Sequence, residues 1–401
     1  FPYTTLFRSH AAIRWLWAHQ EEAIEACLAD PHGRGIVEAP TGSGKGDTIT
    51  GLVKVMPCRW LVIVPSGDLM HDLAARIEQH TGEKVGRWGD GHNTEGRVTV
   101  AVFKTLTLAM GVRTAAMKRR FAAFQAVIVD EVHTVAADSH WRLMMHLTGA
   151  YYRFGFSGTP LQRTDKRGAL VLAALGDILF TVKAKELIAL GLIAEPTVHR
   201  VFRRVKPKPG SGKDYGDAYA DHIALDPERL RFTVAVASKA PSPRIVFVRL
   251  EDHGKALTAA LRKAGHQVEF VDGHYSTARR KAALTRLMHR NLDTIVASKV
   301  FGTGVDAPDL QSVVLAAGGK SHIDALQNVG RGMRRRDKAG NVTKTAFPVY
   351  DITDIACGCR YEDAEGHPRY QHALCKWMDR HARERRKAYR GAGYTMVEHA
   401  P

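Results

Sequence analysis

The sequence predicts an α/β fold of two tandem domains, each a mainly parallel sheet covered by helices on both faces. Three observations lead to this prediction: the length of the chain, two series of short apolar runs, and helical patterns between the runs. At 401 residues the chain is too long for one ordinary core and suits two domains. Apolar runs that alternate with helical segments are typical of buried parallel strands joined by crossover helices.

The first domain is predicted from the first series of apolar runs, each bounded by turn residues. These runs predict strands at residues 35–39, 60–64, 98–102, 126–130 and 153–157. Helical patterns fill the intervals, with helices predicted at 45–55 and 68–80. The alternation of strand and helix predicts one parallel sheet, and we assign the first domain to residues 10–195.

The strand pattern restarts in the second half of the chain. The second series predicts strands at residues 245–248, 268–271, 294–297, 313–316 and 347–350. Residues 203–213, which are rich in Pro, Gly and charge, are predicted as a loop or linker. We assign the second domain to residues 196–350 and residues 351–401 to a basic tail with a short helix at 375–390.

Basic residues outnumber acidic ones in this chain. Lys and Arg number 58 against 41 Asp and Glu, so the formal net charge is +17, which suits a polyanionic partner such as nucleic acid. A basic enzyme whose charge is spread evenly is the alternative. The dense array of Arg and Lys at residues 380–390 predicts either added phosphate contacts or a solvated helix packed on the second domain.

Composition also indicates the cellular compartment in which the protein is expected. The chain has five cysteines, and an odd number in a long chain does not indicate a disulfide framework. We therefore expect a reducing cytoplasm. No apolar run approaches the roughly 20 residues of a membrane span, and we expect no membrane association. Residues 1–9 lack an initiator Met and resemble translated adaptor sequence, so we expect a non-native leader there.

A phosphate-binding loop follows the first predicted strand. Residues 39–46 read Ala-Pro-Thr-Gly-Ser-Gly-Lys-Gly and fit the pattern G-x-x-x-x-G-K-[ST] with Ala39 leading, except at the last position. Gly42 and Gly44 let backbone N–H groups curl around phosphates, and Lys45 reaches the β and γ oxygens. The residues of this loop that are predicted to bind ATP are Thr41, Gly42, Ser43, Gly44, Lys45 and Gly46.

Gly46 is the departure from the pattern, because a Ser or Thr hydroxyl normally holds Mg²⁺ at this position. Glycine offers the metal no side-chain ligand. The loop is therefore either a working ATP site with one ligand replaced or a decayed site. In a working site we expect water or Asp130 to take the place of the hydroxyl.

Two adjacent carboxylates, Asp130 and Glu131, follow the apolar run at residues 126–130. Beside a phosphate site, such a pair supplies one carboxylate to hold Mg²⁺ and one to orient or deprotonate the attacking water. We predict that Asp130 is the metal ligand and that Glu131 acts on the water. A strand that ends in Asp-Glu is also common at solvated turns, so the prediction depends on its pairing with the phosphate-binding loop.

Two arginines late in the second domain are spaced for one face of a helix. Arg331 and Arg334 are three residues apart, so on a helix both can point at a γ-phosphate. Gln327 and Gly330 precede them, and this spacing favours catalytic arginines over a solvated basic face. We predict that both arginines stabilise charge in the transition state.

The order and separation of these segments resemble the superfamily 2 helicases. The segments that resemble motifs I, II, III, V and VI are residues 39–46, 130–133 (Asp-Glu-Val-His), 157–160 (Ser-Gly-Thr-Pro), 302–308 and 327–334. The resemblance implies two RecA-like domains that bind ATP and Mg²⁺ in the cleft between them. It also implies a nucleic-acid strand that lies across both domains.

The resemblance implies roles for individual residues as well. The implied catalytic residues are Lys45, Asp130, Glu131, Gln327, Arg331 and Arg334. Gln20 resembles the glutamine that reads the adenine edge, and Gly304 and Asp306 are implied in nucleotide binding. The implied nucleic-acid contacts are Pro65, Ser66, Lys104, Thr105, His274 and Thr303. Ser and Thr at strand ends are more often simple helix caps, and this alternative stays open.

Within the superfamily, Asp-Glu-Val-His and residues 159–165 and 190–193 resemble the type III restriction subunit group, which includes phage recombination helicases and the xeroderma pigmentosum group B helicase. This resemblance implies an ATP-dependent helicase or translocase that acts on DNA, with RNA as the less favoured substrate. We expect the protein to carry out its core activity as a monomer. The rival hypothesis, motivated by Gly46, is a nucleic-acid clamp that binds ATP without useful hydrolysis.

Overall fold

The computed structural model describes most of the chain as two compact units. It describes residues 13–112, 114–132, 135, 138–161, 168–205, 215–298, 307, 309–319, 330, 333, 335, 342–356, 360–362, 365, 368–370 and 373–399. The first unit ends at Lys183 and the second begins at Ala184.

The first unit is built on an eight-stranded sheet. Its strands are β1 (Arg34–Glu38), β2 (Trp60–Val64), β3 (Gly86–Gly89), β4 (His92–Asn93), β5 (Val98–Val102), β6 (Ala126–Asp130), β7 (Tyr152–Ser157) and β8 (Ile178–Thr181). Their order is β4-β3-β5-β2-β6-β7-β1-β8. The pair β3–β4 is antiparallel and the other pairs are parallel. All five strands predicted for this domain are confirmed, with bounds that differ by at most one residue.

Seven described helices belong to the first unit. They are α1 (Ala18–Ala29), α2 (Lys45–Val55), α3 (Gly67–Thr81), α4 (Phe103–Met110), α5 (Ala115–Ala122), α6 (Asp138–His146) and α7 (Gly168–Leu175). α3 shows why the local sequence is helical: the Ser66 side chain accepts a hydrogen bond from the Leu69 N–H at its start, and Gly82 ends it with a φ of 73°.

The sheet of the first unit is packed between helices. Ile63 and Val129 are buried in one core with Leu106 of α4 and Leu143 of α6. Successive side chains of a strand point to opposite faces, so Val62 faces the other side, where α3 packs on β2 and β5. The fully buried runs in β2 and β6 reflect this two-sided cover.

The second unit contains a seven-stranded parallel sheet. Its strands are β9 (Glu195–Val205), β10 (Arg244–Phe247), β11 (Val268–Val271), β12 (Thr294–Ala297), β13 (Ser312–Leu315), β14 (Ala346–Ala356) and β17 (Thr395–His399). The order is β11-β12-β10-β13-β14-β9-β17, with every pair parallel. A separate antiparallel hairpin is formed by β15 (Arg360–Glu362) and β16 (Pro368–Tyr370). Two mainly parallel sheets in tandem confirm the predicted α/β fold.

Helices on both faces cover the second sheet. They are α8 (Ala184–Ala189), α9 (Tyr215–Tyr219), which continues as a π-helical turn (Ala220–Ala224), α10 (Pro227–Lys239), α11 (Glu251–Lys263), α12 (Thr277–Met288) and α13 (Ala373–Gly391). One buried cluster joins α10 and α11 to the sheet, and a second joins α9, the π-helical turn and α13 to β9. Among the described residues, none of the helices combines the length and the apolar character needed to cross a bilayer.

The chain after residue 350 is part of the second sheet rather than a tail beside it. The predicted boundary at 350/351 falls inside β14, and β17 pairs with β9 at the edge of the sheet. From α13, the Arg385 Nε donates to Asp351 Oδ2 (3.0 Å) and the Tyr389 hydroxyl donates to the same oxygen (3.2 Å). These buried contacts fix α13 on the sheet.

The predicted linker at residues 203–213 also differs from the structure, because its first three residues belong to β9. Arg203 is buried there and forms ion pairs with Asp226 and Asp354. Residues 206–214 lie outside the described part of the chain. The two units divide at Lys183 rather than at the predicted boundary 195/196, since the segment after Ala184 packs within the second unit.

Candidate nucleotide-binding site

The carboxyl ends of three neighbouring strands carry the predicted catalytic residues of the first unit. β6, β7 and β1 lie side by side in the sheet. Asp130 ends β6, Ser157 ends β7, and the loop at residues 39–46 follows β1. Parallel strands end at the same edge of a sheet, which is where ligands of such folds bind. The strand order therefore brings the three segments together.

Two glycines give the phosphate-binding loop its shape. Gly42 and Gly44 have φ angles of 92° and 77°, in the region that side chains other than glycine rarely adopt. Gly44 directly precedes α2, so the loop runs into a helix N-terminus, where the backbone favours an anion. The Ser43 N–H donates to the Pro40 carbonyl at 3.2 Å and closes the turn.

Lys45 lies against the backbone of the same loop. Its Nζ donates to the carbonyls of Ala39 (3.2 Å) and Pro40 (3.4 Å). The ammonium group is thus held against the loop that is predicted to bind the phosphates. This position agrees with the role predicted for Lys45, which itself stays a prediction.

Gln20 contacts the phosphate-binding loop directly. Its Nε2 donates to the carbonyls of Ser43 (3.0 Å) and Gly44 (3.2 Å), and its Oε1 accepts from the Trp17 N–H (2.9 Å). The neighbouring His19 places Nε2 3.0 Å from the Ser43 carbonyl. Gln20 is only 3% exposed, so it is not the ordinary surface glutamine that an isolated Gln in a helix suggests. Its contact with adenine stays a prediction.

The space beside Gly46 is occupied by a cation. A Cβ built on Gly46 would lie 3.6 Å from Nη1 of Arg76, which is an ordinary van der Waals distance. Arg76 of α3 forms an ion pair with Asp47, the residue after Gly46. The chain therefore puts a carboxylate and a balancing guanidinium beside the position that lacks the hydroxyl.

The two predicted carboxylates lie in an unusual stretch of backbone. Glu131 has a φ of 55°, in the left-handed region, and its N–H donates to Asp130 Oδ1 at 3.0 Å. A residue other than glycine in this conformation costs on the order of 1–3 kcal/mol, and such residues are enriched at functional sites. The turn directs Asp130 and Glu131 differently, as their separate predicted roles require.

Ser157 links the carboxylates to the phosphate-binding loop. Its hydroxyl donates to Glu131 Oε2 at 3.4 Å, and its carbonyl accepts from the Ala39 N–H at 3.0 Å. A Cβ on the adjacent Gly158 would lie 3.4 Å from Pro40 Cα, so the two segments are neighbours at an ordinary van der Waals distance. β7 is therefore the physical connection between the predicted motifs I, II and III.

The predicted nucleic-acid contacts of the first unit are divided between a cap and a helix. Ser66 follows Pro65 and caps α3 through its side chain, so its hydroxyl already has a structural role. Lys104 and Thr105 lie in the first turn of α4, after the end of β5. Lys104 is exposed and Thr105 is half-buried. Contact with nucleic acid stays a prediction for all four residues.

His274 of the second unit lies in the turn between β11 and α12. Its side chain is 84% exposed, with Nε2 at 3.9 Å from Glu251, and its N–H donates to Asp272 Oδ1 at 2.9 Å. The turn follows the carboxyl end of β11, at the edge where ligands of parallel sheets bind. Its predicted contact with nucleic acid is not tested by this position.

The other predicted site residues lie outside the described part of the chain, and their roles stay predictions. They are His133, Thr303, Gly304, Asp306, Gln327, Arg331 and Arg334. Gly330 and Met333 of the same segment are described, and the Met333 carbonyl accepts from the Ala194 N–H at 2.6 Å.

Sequence reasoning missed three residues that the structure brings to this edge. His19 contacts the loop beside Gln20, and its position next to that residue is a signal that could have drawn attention to it. Asp47 and Arg76 form the pair beside Gly46, and Arg76 lies in a helix that no local motif connects to the loop. The packing of α3 on α2 creates this contact.

Comparisons with known families cover both units. The family described as "Type III restriction enzyme, res subunit" matches residues 15–162. The family described as "Helicase conserved C-terminal domain" matches residues 229–336. The first match contains the phosphate-binding loop and the carboxylate pair, and the second contains the predicted motifs V and VI.

Two relatives and one solved structure illustrate the similarity. The chain is 27% identical over 318 aligned positions to the putative DNA 3'-5' helicase Rad25 of Haloarcula marismortui, which covers 75% of this chain and 48% of that protein. It is 24% identical over 408 aligned positions to the ATP-dependent DNA helicase uvsW of Enterobacteria phage T4, which covers 95% and 76%. The chain thus spans about half the length of Rad25.

The solved structure supports the fold. A fragment of a putative HsdR subunit of a type I restriction enzyme from Vibrio vulnificus matches with a TM-score of 0.59 and 19% identity, over 90% of this chain and 71% of that chain.

The fold and the site define a P-loop nucleotide-binding protein with two mainly parallel sheets in tandem. The chain carries a domain of the type III restriction enzyme res subunit family and a helicase conserved C-terminal domain, a pair that is consistent with a superfamily 2 helicase of the type III restriction-like group.

Proposed function

We propose that this protein is an ATP-dependent DNA helicase or translocase. The observation that carries the proposal is the meeting of the phosphate-binding loop, the Asp130–Glu131 pair and Ser157 at the carboxyl ends of three adjacent strands. A site that only binds ATP has no physical need for a carboxylate that acts on water. The names of the relatives Rad25 and uvsW support DNA as the substrate.

Lys45 and Glu131 carry the chemistry of the proposed reaction. Lys45 now donates to two loop carbonyls, and a phosphate oxygen is a stronger acceptor because it is charged. We expect the ammonium to turn to the phosphates when ATP binds. Glu131 orients the attacking water, and its hydrogen bond from Ser157 holds the carboxylate for that task.

Mg²⁺ fits the residues present. Asp130 offers a carboxylate at the end of β6, on the same edge of the sheet as the loop after β1. Mg²⁺ is commonly held by one or two carboxylates together with substrate phosphates and waters. Asp130 would hold the ion, with water in the position of the hydroxyl that Gly46 lacks. The ion would neutralise charge on the transferred phosphoryl group.

The rival hypothesis is a DNA clamp that binds ATP without useful hydrolysis, and Gly46 is the observation behind it. A second alternative is action on RNA. One experiment separates all three functions: ATP hydrolysis is measured with single-stranded DNA, duplex DNA or RNA at one fixed low salt concentration, because binding to nucleic acid depends strongly on salt.

The proposal expects DNA of either form to raise the hydrolysis rate at least tenfold over the rate without nucleic acid, and RNA to raise it less. Glu131→Gln serves as the matched control, because it keeps the shape of the side chain and removes the carboxylate. It should bind ATP and lose the stimulation. ATP binding without hydrolysis in the wild type would favour the clamp, and stimulation by RNA alone would favour an RNA helicase.

A further inference from the structure

A row of basic side chains lies along the exposed face of α13. The five residues, here called the α13 stripe, are Lys376, Arg380, Arg383, Lys387 and Arg390, and all are exposed. They are separated alternately by four and three residues, and this spacing keeps side chains on one face of a helix. The stripe is about 21 Å long, since a helix rises about 1.5 Å per residue.

The opposite face of α13 anchors the helix rigidly to the second unit. Leu374 and Met378 are buried in the cluster with β9, and Tyr389 is fully buried. The Arg385 Nη1 donates to the Gly319 carbonyl at 2.6 Å, in addition to its contact with Asp351. The stripe is therefore presented to solvent by a helix whose orientation is fixed.

Repulsion among the charges of the α13 stripe lowers the stability of the helix, more than a solvated face of mixed charge would. Each of its members lies three or four residues from the next, and like charges at these separations destabilise a helix. The helix dipole also disfavours the cation of Lys376 in the first turn of α13, whereas it favours that of Arg390 in the last turn. Asp379, 3.5 Å from Arg383, and Glu384 offset part of this charge. An anionic partner would explain why the repulsion is kept.

We propose that the α13 stripe binds the phosphate backbone of duplex DNA. The inference rests on the proposed function for the choice of DNA. Duplex DNA carries one negative charge per about 1.7 Å of its axis, with both strands counted, so a straight row of five fixed cations faces a denser array of phosphates than a single strand presents. A membrane surface fits less well, because helices that lie in a bilayer interface insert a free apolar face, whereas the apolar face of α13 is buried on the sheet.

The test removes three stripe charges and compares the effect with an equal change elsewhere. The stripe variant carries Arg380→Gln, Arg383→Gln and Lys387→Gln. The control variant carries Lys239→Gln, Lys255→Gln and Lys263→Gln, three exposed residues of α10 and α11 in the same unit. Binding to a fluorescent duplex of 25 base pairs is measured at several salt concentrations without ATP, and circular dichroism confirms folding.

We expect the stripe variant to bind duplex DNA at least tenfold more weakly at low salt. The slope of log affinity against log salt should fall by about 3, or about 1 for each cation removed from a phosphate. The control variant should keep the wild-type slope. Equal weakening in both variants, or none in either, would overturn the proposal. If the stripe variant does not fold, Lys376→Gln with Arg390→Gln provides the same comparison, with an expected slope change of about 2.

The readout distinguishes this inference from the proposed function. Binding without ATP does not need hydrolysis, so a wild type that fails to hydrolyse ATP would contradict the proposed function and leave the stripe testable. Conversely, DNA-stimulated hydrolysis with a wild-type salt slope in the stripe variant would overturn the stripe alone. The same titrations are made with single-stranded DNA. If the wild type binds single-stranded DNA as tightly as duplex DNA, and the stripe variant shows the same change in salt slope, the choice of duplex DNA is contradicted.

Discussion

Gly44 shows at the scale of one residue how backbone and side-chain demands meet in this site. Its φ of 77° is a conformation that glycine adopts without strain, and a Cβ there would collide with Nε2 of Gln20. The sequence predicted that glycine was needed for loop curvature. It could not predict the contact with Gln20, because that contact depends on how α1 packs against α2.

We predict that Gly44→Ala weakens ATP binding at least tenfold. The change strains the backbone by about 1–2 kcal/mol and displaces Gln20 from the loop. Gly82→Ala is a matched control, because Gly82 has a φ of 73° with nothing within 4 Å of its Cβ position. Isothermal titration with ATP and urea unfolding of both variants measure the two effects. ATP affinity equal to wild type in Gly44→Ala would contradict the described loop geometry.

Gly46 provides the second prediction at this scale. A serine fits, since its Cβ would lie 3.6 Å from Arg76, and removing a glycine from the first turn of α2 should stabilise the protein by up to about 1 kcal/mol. The Gly46→Ser variant is also compared with the wild type by the Mg²⁺ concentration that gives half-maximal hydrolysis. This concentration should change less than about threefold if Asp130 and water already hold the ion. Gly46→Ala controls for the backbone change. A tenfold gain in turnover for the serine variant alone would mean that the natural loop is impaired.

Among the elements, the strands that the sequence predicted and those that it missed differ in composition. Short, fully buried runs such as β2 and β12 were predicted with their observed bounds. β9 was not predicted as a strand, and its last three residues, which include Arg203, were assigned to a linker because of their charge. The partners that bury this charge, Asp226 and Asp354, are far away in the chain, and no local pattern reveals them. Long-range ion pairs therefore set the limit of the sequence prediction here.

α11 carries a buried histidine that makes the stability of the second unit depend on pH. Burial, with a smaller contribution from Arg229, lowers the pKa of His253 to about 3. The unfolded chain takes up this proton near its ordinary pKa of 6.5, and the folded chain does not. Stability from this group is therefore complete above pH 6.5 and is lost as the pH falls from 6.5 towards 3.

We predict that the free energy of unfolding falls less steeply with decreasing pH in His253→Gln than in the wild type. The difference should approach about 1.4 kcal/mol per pH unit between pH 6 and pH 4. Urea unfolding of the second unit at several pH values measures the slopes, and His289→Gln, at an exposed position, is the control. Parallel curves for wild type and His253→Gln would show that His253 is protonated in the folded protein.

At the scale of the whole molecule, the two sheets in tandem followed from the restart of the strand pattern. The pairing of the phosphate-binding loop with Asp130 and Glu131 was also predicted, and the shared carboxyl edge of parallel strands explains it. Which strands are neighbours in the sheet could not be predicted, since the order β6-β7-β1 depends on crossover connections. The cation beside Gly46 and the hydrogen bond from Ser157 to Glu131 are consequences of that order and of helix packing.

The central claim is that ATP is hydrolysed at the loop of residues 39–46 when DNA is bound. Phosphate release by wild type and Lys45→Ala, each with and without duplex DNA at low salt, tests it most directly. We expect strong stimulation by DNA in the wild type. Phosphate release by Lys45→Ala should be at least a hundredfold slower, because the ammonium stabilises charge that develops on the phosphates. The DNA affinity of this variant without ATP should be unchanged. Stimulation of Lys45→Ala equal to that of the wild type would contradict the account.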